Sequence, residues 1–201
     1  VGELSKLRKD LEWYPRDVWL YLLAAGWHRI GDQEHLMPRA GFVGDELGSA
    51  LLGSQLVRDI MSLCFLMEQQ YAPYPKWFGS AYKQLECAGA LSPTLQRALI
   101  AETWQQREKE LSDAYQVLAR MHNELGITNP LPDEVSSFHG RPFNVIHGDR
   151  YGDTILDEIR DQEVLRISRY TLSGGIDQIS DNTKFLSDPK MYAFLKQLFE
   201  L

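Results

Sequence analysis

The segment "PRDVWLYLLAAGWHRI", residues 15–30, constrains the fold most strongly, because its apolar side chains recur at helical spacing around most of a helix. Two adjacent stripes of such a helix hold Val18, Leu22, Ala25 and Arg29, and Trp19, Leu23, Trp27 and Ile30. A helix that is apolar on most sides normally lies inside a protein, with other elements packed around it. The segment therefore predicts a deeply buried helix.

Helix signals continue on both sides of this segment. The other predicted helices run over residues 3–13, from Gly41 or Gly44 to Tyr71, and from a Ser92 cap, with Pro93 in the first turn, to Gly126. Their boundaries rest on capping residues, prolines and glycines. A Pro-punctuated turn and a short amphipathic helix are predicted over residues 72–86. The pattern predicts an all-α fold, a bundle of about six to eight helices with a loop-rich C-terminal third.

Composition changes after the long helix. The segment "ITNPLPDEVSSFHGRPF", residues 127–143, is rich in turn formers and predicts a linker or a long surface loop. We expect a short strand in "RPFNVIH", further helix after it, and an amphipathic helix over residues 190–201. The predicted organisation is one domain, with a main helical bundle over residues 1–128 and a loop-rich helical subregion over residues 129–201 packed on it.

Charge and cysteine usage exclude several classes of protein. The 201 residues carry a formal net charge of -7, whereas binding to nucleic acid or to an anionic membrane requires clustered Lys and Arg. We therefore expect neither a broad nucleic-acid surface nor a membrane partner. Cys64 and Cys87 are interpreted as free thiols of a cytoplasmic protein, with a disulfide between them as the alternative. The five histidines form no His-x-x-x-His pair and no Cys/His cluster, so no metal site is predicted.

Polar residues within the apolar third helix are the first candidate functional residues. Asp45 and Glu46 lie at its glycine-rich start, and Arg58 and Asp59 follow on the same helix. Buried charges are costly unless they are paired, so one interpretation is a structural network in which Arg58 pairs with Asp45 or Glu46. The alternative is that the glycines open space for a ligand. Asp45 and Glu46 would then be the catalytic candidates, and Arg58 and Asp59 would bind substrate.

Lys76 and Trp77 have two interpretations as well. They are either an exposed lysine at a helix start beside a core tryptophan, or a cation and an aromatic face for a nucleotide phosphate and base. In the later sequence, Asp177, Gln178 and Asp181 are interpreted as loop and cap residues.

The segment "VIHGDRYGDTIL", residues 145–156, resembles the catalytic loop of small-molecule phosphotransferases, with Asp149 as the base. Thr154, however, occupies the position at which that class has a metal-binding Asn, and the preceding residues lack the glycine-rich strand-turn-strand that covers a nucleotide. We therefore predict a turn into a late helix. Gly148 and Gly152 would supply positive φ there, and Asp149 or Asp153 would cap the helix.

Arg29 and His35 are separated by five residues, a spacing found in HEPN-like ribonucleases, a class of helical toxins. In that class the pair lines an RNA-cleaving site at a dimer interface. Arg141 and His147 have the same spacing in another context, so the pattern alone is weak. The favoured interpretation is a helix end at which a cation interacts with the helix dipole.

Three stretches together resemble a known family. They are residues 14–85, from "YPRDVWLYLLAAGWHRI" to "KWFGSAYKQL", then "FHGRPFNVI" and "GGIDQISDNTKFL". Together they resemble the domain of unknown function DUF4037 over nearly the entire chain. Proteins of this family resemble nucleotidyltransferases, in which a small α/β domain with Gly-Ser and two metal-binding carboxylates precedes a helical domain. The resemblance implies that this chain is the helical part, which in such proteins forms the acceptor side of the cleft.

The catalytic half of that pattern is not found in these residues. Gly79 and Ser80 occur, but no carboxylate pair follows them to hold two Mg²⁺ ions. We expect no cofactor in this chain, and Mg²⁺ and a nucleoside triphosphate if it is joined to a catalytic domain. The first hypothesis is a substrate-facing helical domain of a nucleotidyltransferase-like protein, which binds a small molecule or nucleotide and has an unknown acceptor. The alternatives are a non-catalytic interaction or homodimerisation module and a HEPN-like ribonuclease.

Overall fold

The computed structural model describes residues 2–169, 172, 174–175 and 196–197. Its α-helices are α1 (Gly2–Asp10), α2 (Arg16–Glu34), α3 (Leu36–Phe42), α4 (Glu46–Met67), α5 (Phe78–Tyr82), α6 (Ala88–Ile100), α7 (Trp104–Glu124), α8 (Gly148–Leu156) and α9 (Gln162–Ser168). Two short 3-10 helices cover Pro75–Trp77 and Phe138–Gly140. The strands β1 (Ser136–Ser137) and β2 (Asn144–Val145) pair antiparallel, with Ser136 opposite Val145. The predicted all-α class and the short strand are confirmed.

Several predictions concern the end of the chain. Asp177, Gln178, Asp181 and all of residues 190–201 except 196–197 lie outside the described residues.

The helix α2 forms the centre of the core, as its sequence predicts. Leu20, Leu23 and Trp27 have no exposed surface, and the helix packs against α4 and α8. The Trp19 indole nitrogen donates a hydrogen bond of 2.7 Å to the Leu66 carbonyl oxygen and so fixes α2 against the end of α4. Deep burial of a helix that is apolar on most sides is therefore confirmed.

The helix α4 is the second core helix. Within the described part of the chain it alone is long and apolar enough to cross a membrane, with a mean hydropathy of 1.4 over its most apolar window. Half of that window is buried against protein, and α2, α3, α6 and α7 all pack on the helix. A core helix of a helical bundle passes the same test of length and composition, so this is weak evidence for a membrane span.

One predicted helix is divided in the structure, and another begins at one of its two predicted starts. The predicted third helix, from Gly41 or Gly44 to Tyr71, corresponds to α4, and Gly44, with a φ of 89°, lies in the break between α3 and α4. The predicted long helix is α6 and α7, because Ala101 is extended and Thr103 starts a new helix by accepting a hydrogen bond of 3.3 Å from the Gln106 amide. Ser92 is therefore not a cap, and Pro93 lies inside α6.

The turn into a late helix at residues 145–156 is confirmed, but the reason for its glycines is different. The positive φ belongs to His147, at 59°, and not to Gly148 or Gly152. A Cβ atom on Gly148 would lie 2.6 Å from the Trp27 carbonyl oxygen, and one on Gly152 would meet the His28 ring. These glycines allow α8 to approach the backbone of α2 closely.

The cap of α8 also comes from a residue far away in the sequence. Glu34, at the end of α2, accepts hydrogen bonds from the Ile146 amide at 2.6 Å and from the Gly148 amide at 3.0 Å. The Asp153 carboxylate instead lies 3.0 Å from the Nε2 atom of His28. The prediction that Asp149 or Asp153 caps this helix is therefore wrong.

Candidate ligand-binding site

Asp45 and Glu46 make defined contacts at the start of α4. Asp45 caps the helix, since its Oδ1 accepts a hydrogen bond of 2.7 Å from the Gly48 amide. Glu46 accepts one of 3.1 Å from the Trp104 amide and lies 3.4 Å from the Arg107 guanidinium. The predicted pairing with Arg58 is wrong, because Arg58 lies on the order of 18 Å further along the same helix.

Two of the glycines near Asp45 and Glu46, Gly41 and Gly53, are packed against side chains of α7. A Cβ atom on Gly41 would collide with the Trp104 side chain, and one on Gly53 with the Arg107 side chain. The Arg107 guanidinium is buried there and donates a hydrogen bond of 2.7 Å to the Ser49 hydroxyl. Gly41 and Gly53 therefore make room for side chains of α7.

Arg58 and Asp59 are neighbours in sequence but have different surroundings. Asp59 is buried, and its Oδ1 lies 2.8 Å from the Nε of Arg29, which joins α4 to α2. The Arg58 guanidinium lies 5.9 Å from the centre of the Phe78 ring, within reach of a cation–π interaction.

Lys76 and Trp77 lie on the surface beside α5. The Trp77 side chain is 57% exposed, so the interpretation as a core tryptophan is wrong. The Lys76 ammonium lies 5.1 Å from the centre of the Trp77 ring. The six candidate residues therefore lie at three separate places, and their functional roles stay predictions.

A cavity of about 760 Å³ lies elsewhere, between the C-terminal ends of α4 and α7 and the connection from α5 to α6. This volume suits a small organic ligand. Phe65, Leu85, Met121 and Leu125 contribute apolar surface to its lining. We call it the α4–α7 cavity.

Three glutamates line the α4–α7 cavity: Glu68, Glu86 and Glu124. Glu68 is the C-cap residue of α4, and its two carboxylate oxygens accept hydrogen bonds of 2.8 Å from the Glu86 and Cys87 amides. This bridge holds the start of α6 against the end of α4. Glu86 and Glu124 are exposed.

The wall behind Glu68 contains two thiols and a phenol. Cys64 is fully buried and Cys87 lines the cavity, and both are free, as the sequence interpretation expected. A hydrogen bond with Cys87, together with burial, raises the pKa of the Cys64 thiol. Burial also raises the pKa of Tyr82, whose hydroxyl lies near both sulfurs. Cys64 and Tyr82 are therefore uncharged at neutral pH.

Two helix ends add to the negative potential of the cavity. The C-terminal ends of α4 and α7 meet here, and the dipole of each helix gives its C-terminal end a partial negative charge. The last turn of α4 has no basic residue, and that of α7 has only His122. Burial lowers the pKa of His122 to about 4, so this ring is neutral. The described residues that line the cavity include no Lys, Arg or His.

Part of the lining of the α4–α7 cavity comes from the N-terminal part of the chain. Residues 1–78 match the family model of DUF4037, a domain of unknown function. The resemblance to DUF4037 is thereby confirmed for residues 1–78, which is less than half of the chain. The other two stretches that suggested DUF4037, residues 138–146 and 174–186, lie beyond this match, and most of the second lies outside the described residues. No curated protein and no solved structure matches the chain.

The segment that matches DUF4037 supplies five lining residues to the cavity, and later residues supply the rest; the five are Phe65, Met67, Glu68, Gln70 and Tyr71. Sequence reasoning missed all three cavity glutamates. Glu68 gave a signal, since it is the first charged residue after the apolar run that ends α4. No sequence signal marks Glu86 and Glu124, because only the packing of α6 and α7 brings these two residues to the cavity.

Proposed function

We propose that this chain is the helical, substrate-facing part of a nucleotidyltransferase-like protein and that its α4–α7 cavity binds the acceptor. The DUF4037 match and the resemblance of that family to nucleotidyltransferases support the reaction class. The observation that carries the proposal is the cavity of about 760 Å³, lined by apolar surface and by carboxylates from three segments of the chain. We expect the complete protein to work in the cytoplasm.

The metal-dependent chemistry would come from another domain. Within the described residues, no group of three or more His, Cys, Asp or Glu side chains is placed to hold a metal ion. We propose that an α/β domain binds the Mg²⁺ and the nucleoside triphosphate that such a transfer uses.

The described side chains would bind and orient the acceptor. Glu86 and Glu124 are the carboxylates that an acceptor in the cavity can touch, so they are the groups that could take a proton from its hydroxyl. Asp45 and Glu46 lie on the order of 30 Å away, at the opposite end of α4. They would act only on an acceptor held between this chain and the catalytic domain.

The test is a transfer assay with the complete natural protein, including any coding sequence that precedes Val1. The protein is incubated with Mg²⁺, each of the four α-labelled ribonucleoside triphosphates in turn, and a small-molecule extract of its host cells. We expect a labelled small-molecule product, and less of it with Glu86→Gln plus Glu124→Gln. Absence of any labelled product with all four nucleotides contradicts the proposal.

A helical interaction module is the second candidate, because the region from the end of α3 to the middle of α4 exposes large apolar side chains. Phe42, Val43, Leu47 and Leu51 are 60%, 79%, 75% and 64% exposed. Such a patch is typical of a surface that another protein covers. If it forms a homodimer, sedimentation equilibrium will give twice the monomer mass for the parent chain and the monomer mass for Leu47→Glu.

The HEPN-like ribonuclease has less support. Arg29 is engaged by Asp59, and the His35 ring stacks on Phe138, with centroids 4.3 Å apart and an interplanar angle of 12°. Burial lowers the pKa of His35, which disfavours the imidazolium form. RNA cleavage that disappears with His35→Ala would restore this hypothesis.

A further inference from the structure

We infer that the ligand of the α4–α7 cavity is an organic cation, a small molecule that carries one or more ammonium groups on a carbon skeleton. The charge preference is argued from the cavity itself. Only the role of this molecule as an acceptor, with a hydroxyl group that receives the nucleotidyl group, rests on the proposed function.

The first argument is the unbalanced negative charge. Glu68, Glu86 and Glu124 line the cavity, and none of its described lining residues is basic. In the described part of the chain, Glu86 and Glu124 have no ion-pair partner for their carboxylates. An anionic ligand would lose its hydration and meet like charges, whereas an ammonium group would replace its water shell with carboxylate oxygens.

The second argument is independent of the glutamates and comes from the helix ends. The C-terminal ends of α4 and α7 both border the cavity, and the last turn of each lacks a positive charge, because His122 is neutral. Cations near a helix C-terminus are favoured and anions are disfavoured. Two such ends act in the same direction here.

The third argument concerns the carbon skeleton of the ligand. Met121 and Leu125 are half-buried and offer apolar surface, and Tyr71 offers an aromatic ring at the cavity. The Tyr71 ring is held by Trp13 and Tyr14, with centroids 4.9 Å and 5.0 Å from its own. Aromatic rings pack against the carbon groups of a ligand and also attract ammonium groups. This apolar and aromatic lining therefore fits an organic cation better than a metal ion.

The binding test compares three disaccharides of similar size that differ in charge. They are chitosan disaccharide, which carries ammonium groups, the neutral cellobiose and the anionic digalacturonate. Isothermal titration uses the 201-residue chain at low and at high salt. We expect chitosan disaccharide to bind on the order of tenfold more tightly than either of the others at low salt, with an affinity that falls at high salt. Equal affinities, tighter binding of digalacturonate, or no binding of chitosan disaccharide at millimolar concentration overturns the inference.

Matched variants place this binding in the cavity. Glu86→Gln plus Glu124→Gln removes two cavity charges without removing the Glu68 bridge, and we expect it to abolish the preference for the cationic disaccharide. Glu102→Gln makes the same kind of change at an exposed residue near the opposite end of α7, and the preference should stay as in the parent chain. Circular dichroism checks that all variants are folded. An unchanged preference in the double variant contradicts the inference.

The inference and the proposed function can fail separately. If the chain binds chitosan disaccharide selectively but the complete protein transfers no nucleotide, only the proposed function fails. If the complete protein nucleotidylates a neutral or anionic molecule and the chain ignores the cation, only the inference fails.

Discussion

Two places where helices meet in this protein contrast sharply, the contact between α2 and α8 and the α4–α7 cavity. At the first, Gly31, Gly148 and Gly152 let two backbones touch, and the acid Glu34 is buried with its oxygens bonded to backbone amides. At the second, Glu68 also bonds to two amides, but Glu86 and Glu124 remain exposed around a cavity. Glutamates therefore have different roles at the two places. Glu34 helps to close the contact between α2 and α8, whereas Glu86 and Glu124 give the open α4–α7 cavity a negative charge.

The contrast teaches how to separate structural acids from functional ones in this chain. Glu34 satisfies donors that would otherwise be buried without a partner, which is a structural role. Glu86 and Glu124 satisfy no described donor with their side chains, and they carry charge at a place with room for a ligand. We therefore expect changes at the first contact to affect folding, and changes at the second to affect binding.

The largest effect should come from Gly31→Ala. A Cβ atom there would lie 2.5 Å from the Asp149 backbone nitrogen, so α2 and α8 would have to separate. We expect the free energy of unfolding to fall by about 3 kcal/mol or more, measured by urea denaturation. The control is Gly89→Ala in α6, where a Cβ meets nothing within 4 Å and a gain of about 1 kcal/mol is expected. Equal effects of the two changes would mean that the close approach of α2 and α8 is not real.

A somewhat smaller effect is expected from pH through Glu34. Burial, the largest influence, raises the pKa of this carboxyl from 4.5 to about 7 in the folded chain, so the folded state binds its proton more tightly than the unfolded state. The stability that comes from this proton is present in full below pH 4.5 and is lost as pH rises to about 7. The loss is on the order of 3 kcal/mol.

Urea denaturation across that pH range, compared with Glu34→Gln, measures the effect. The variant should lack this part of the pH dependence, because its amide does not titrate. A parent chain and variant with parallel pH profiles would show that Glu34 titrates normally.

Asp59→Asn should have an intermediate effect. It removes the carboxylate charge that faces Arg29 across α2 and α4, and because Arg29 is partly exposed we expect a loss of roughly 1–2 kcal/mol. Asp113→Asn is the matched control, since its pair with Lys109 is on the surface and is expected to contribute less than about 0.5 kcal/mol. Thermal denaturation of both variants gives the comparison, and a larger loss at Asp113 would contradict it.

The smallest effect on stability should come from Glu86→Gln plus Glu124→Gln. Their carboxylates are exposed and near other negative charges, so their removal should change the free energy of unfolding by less than about 0.5 kcal/mol. Urea denaturation checks this value. A strong destabilisation would assign these glutamates to the same structural class as Glu34.

The sequence predicts the contact between α2 and α8 better than it predicts the α4–α7 cavity. The burial of α2 can be predicted from the spacing of its apolar residues alone, because this spacing shows which faces of a helix pack against other parts of the protein. Gly148 and Gly152 stand out in the sequence, but a glycine shows only that a Cβ is absent, and here the reason is a neighbouring helix rather than positive φ. The capping of α8 by Glu34 could not be predicted, since more than a hundred residues separate the partners.

The cavity lies beyond sequence reasoning for a related reason. The candidates Asp45, Glu46, Arg58 and Asp59 were chosen because charges stand out within an apolar helix. In the structure Glu46 and Asp59 pair with Arg107 and Arg29, residues of other helices. Glu86 and Glu124 do not stand out in their polar surroundings, and their importance comes from where the ends of α4 and α7 meet.

Hydrogen–deuterium exchange of the 201-residue chain, with and without chitosan disaccharide, tests the central claim most directly. We expect added protection in residues 65–71, 84–87 and 121–125, which line the α4–α7 cavity, and no change where α2 contacts α8. Protection confined to the α2–α8 contact, or absent throughout the chain, would contradict the assignment of the cavity as the ligand site.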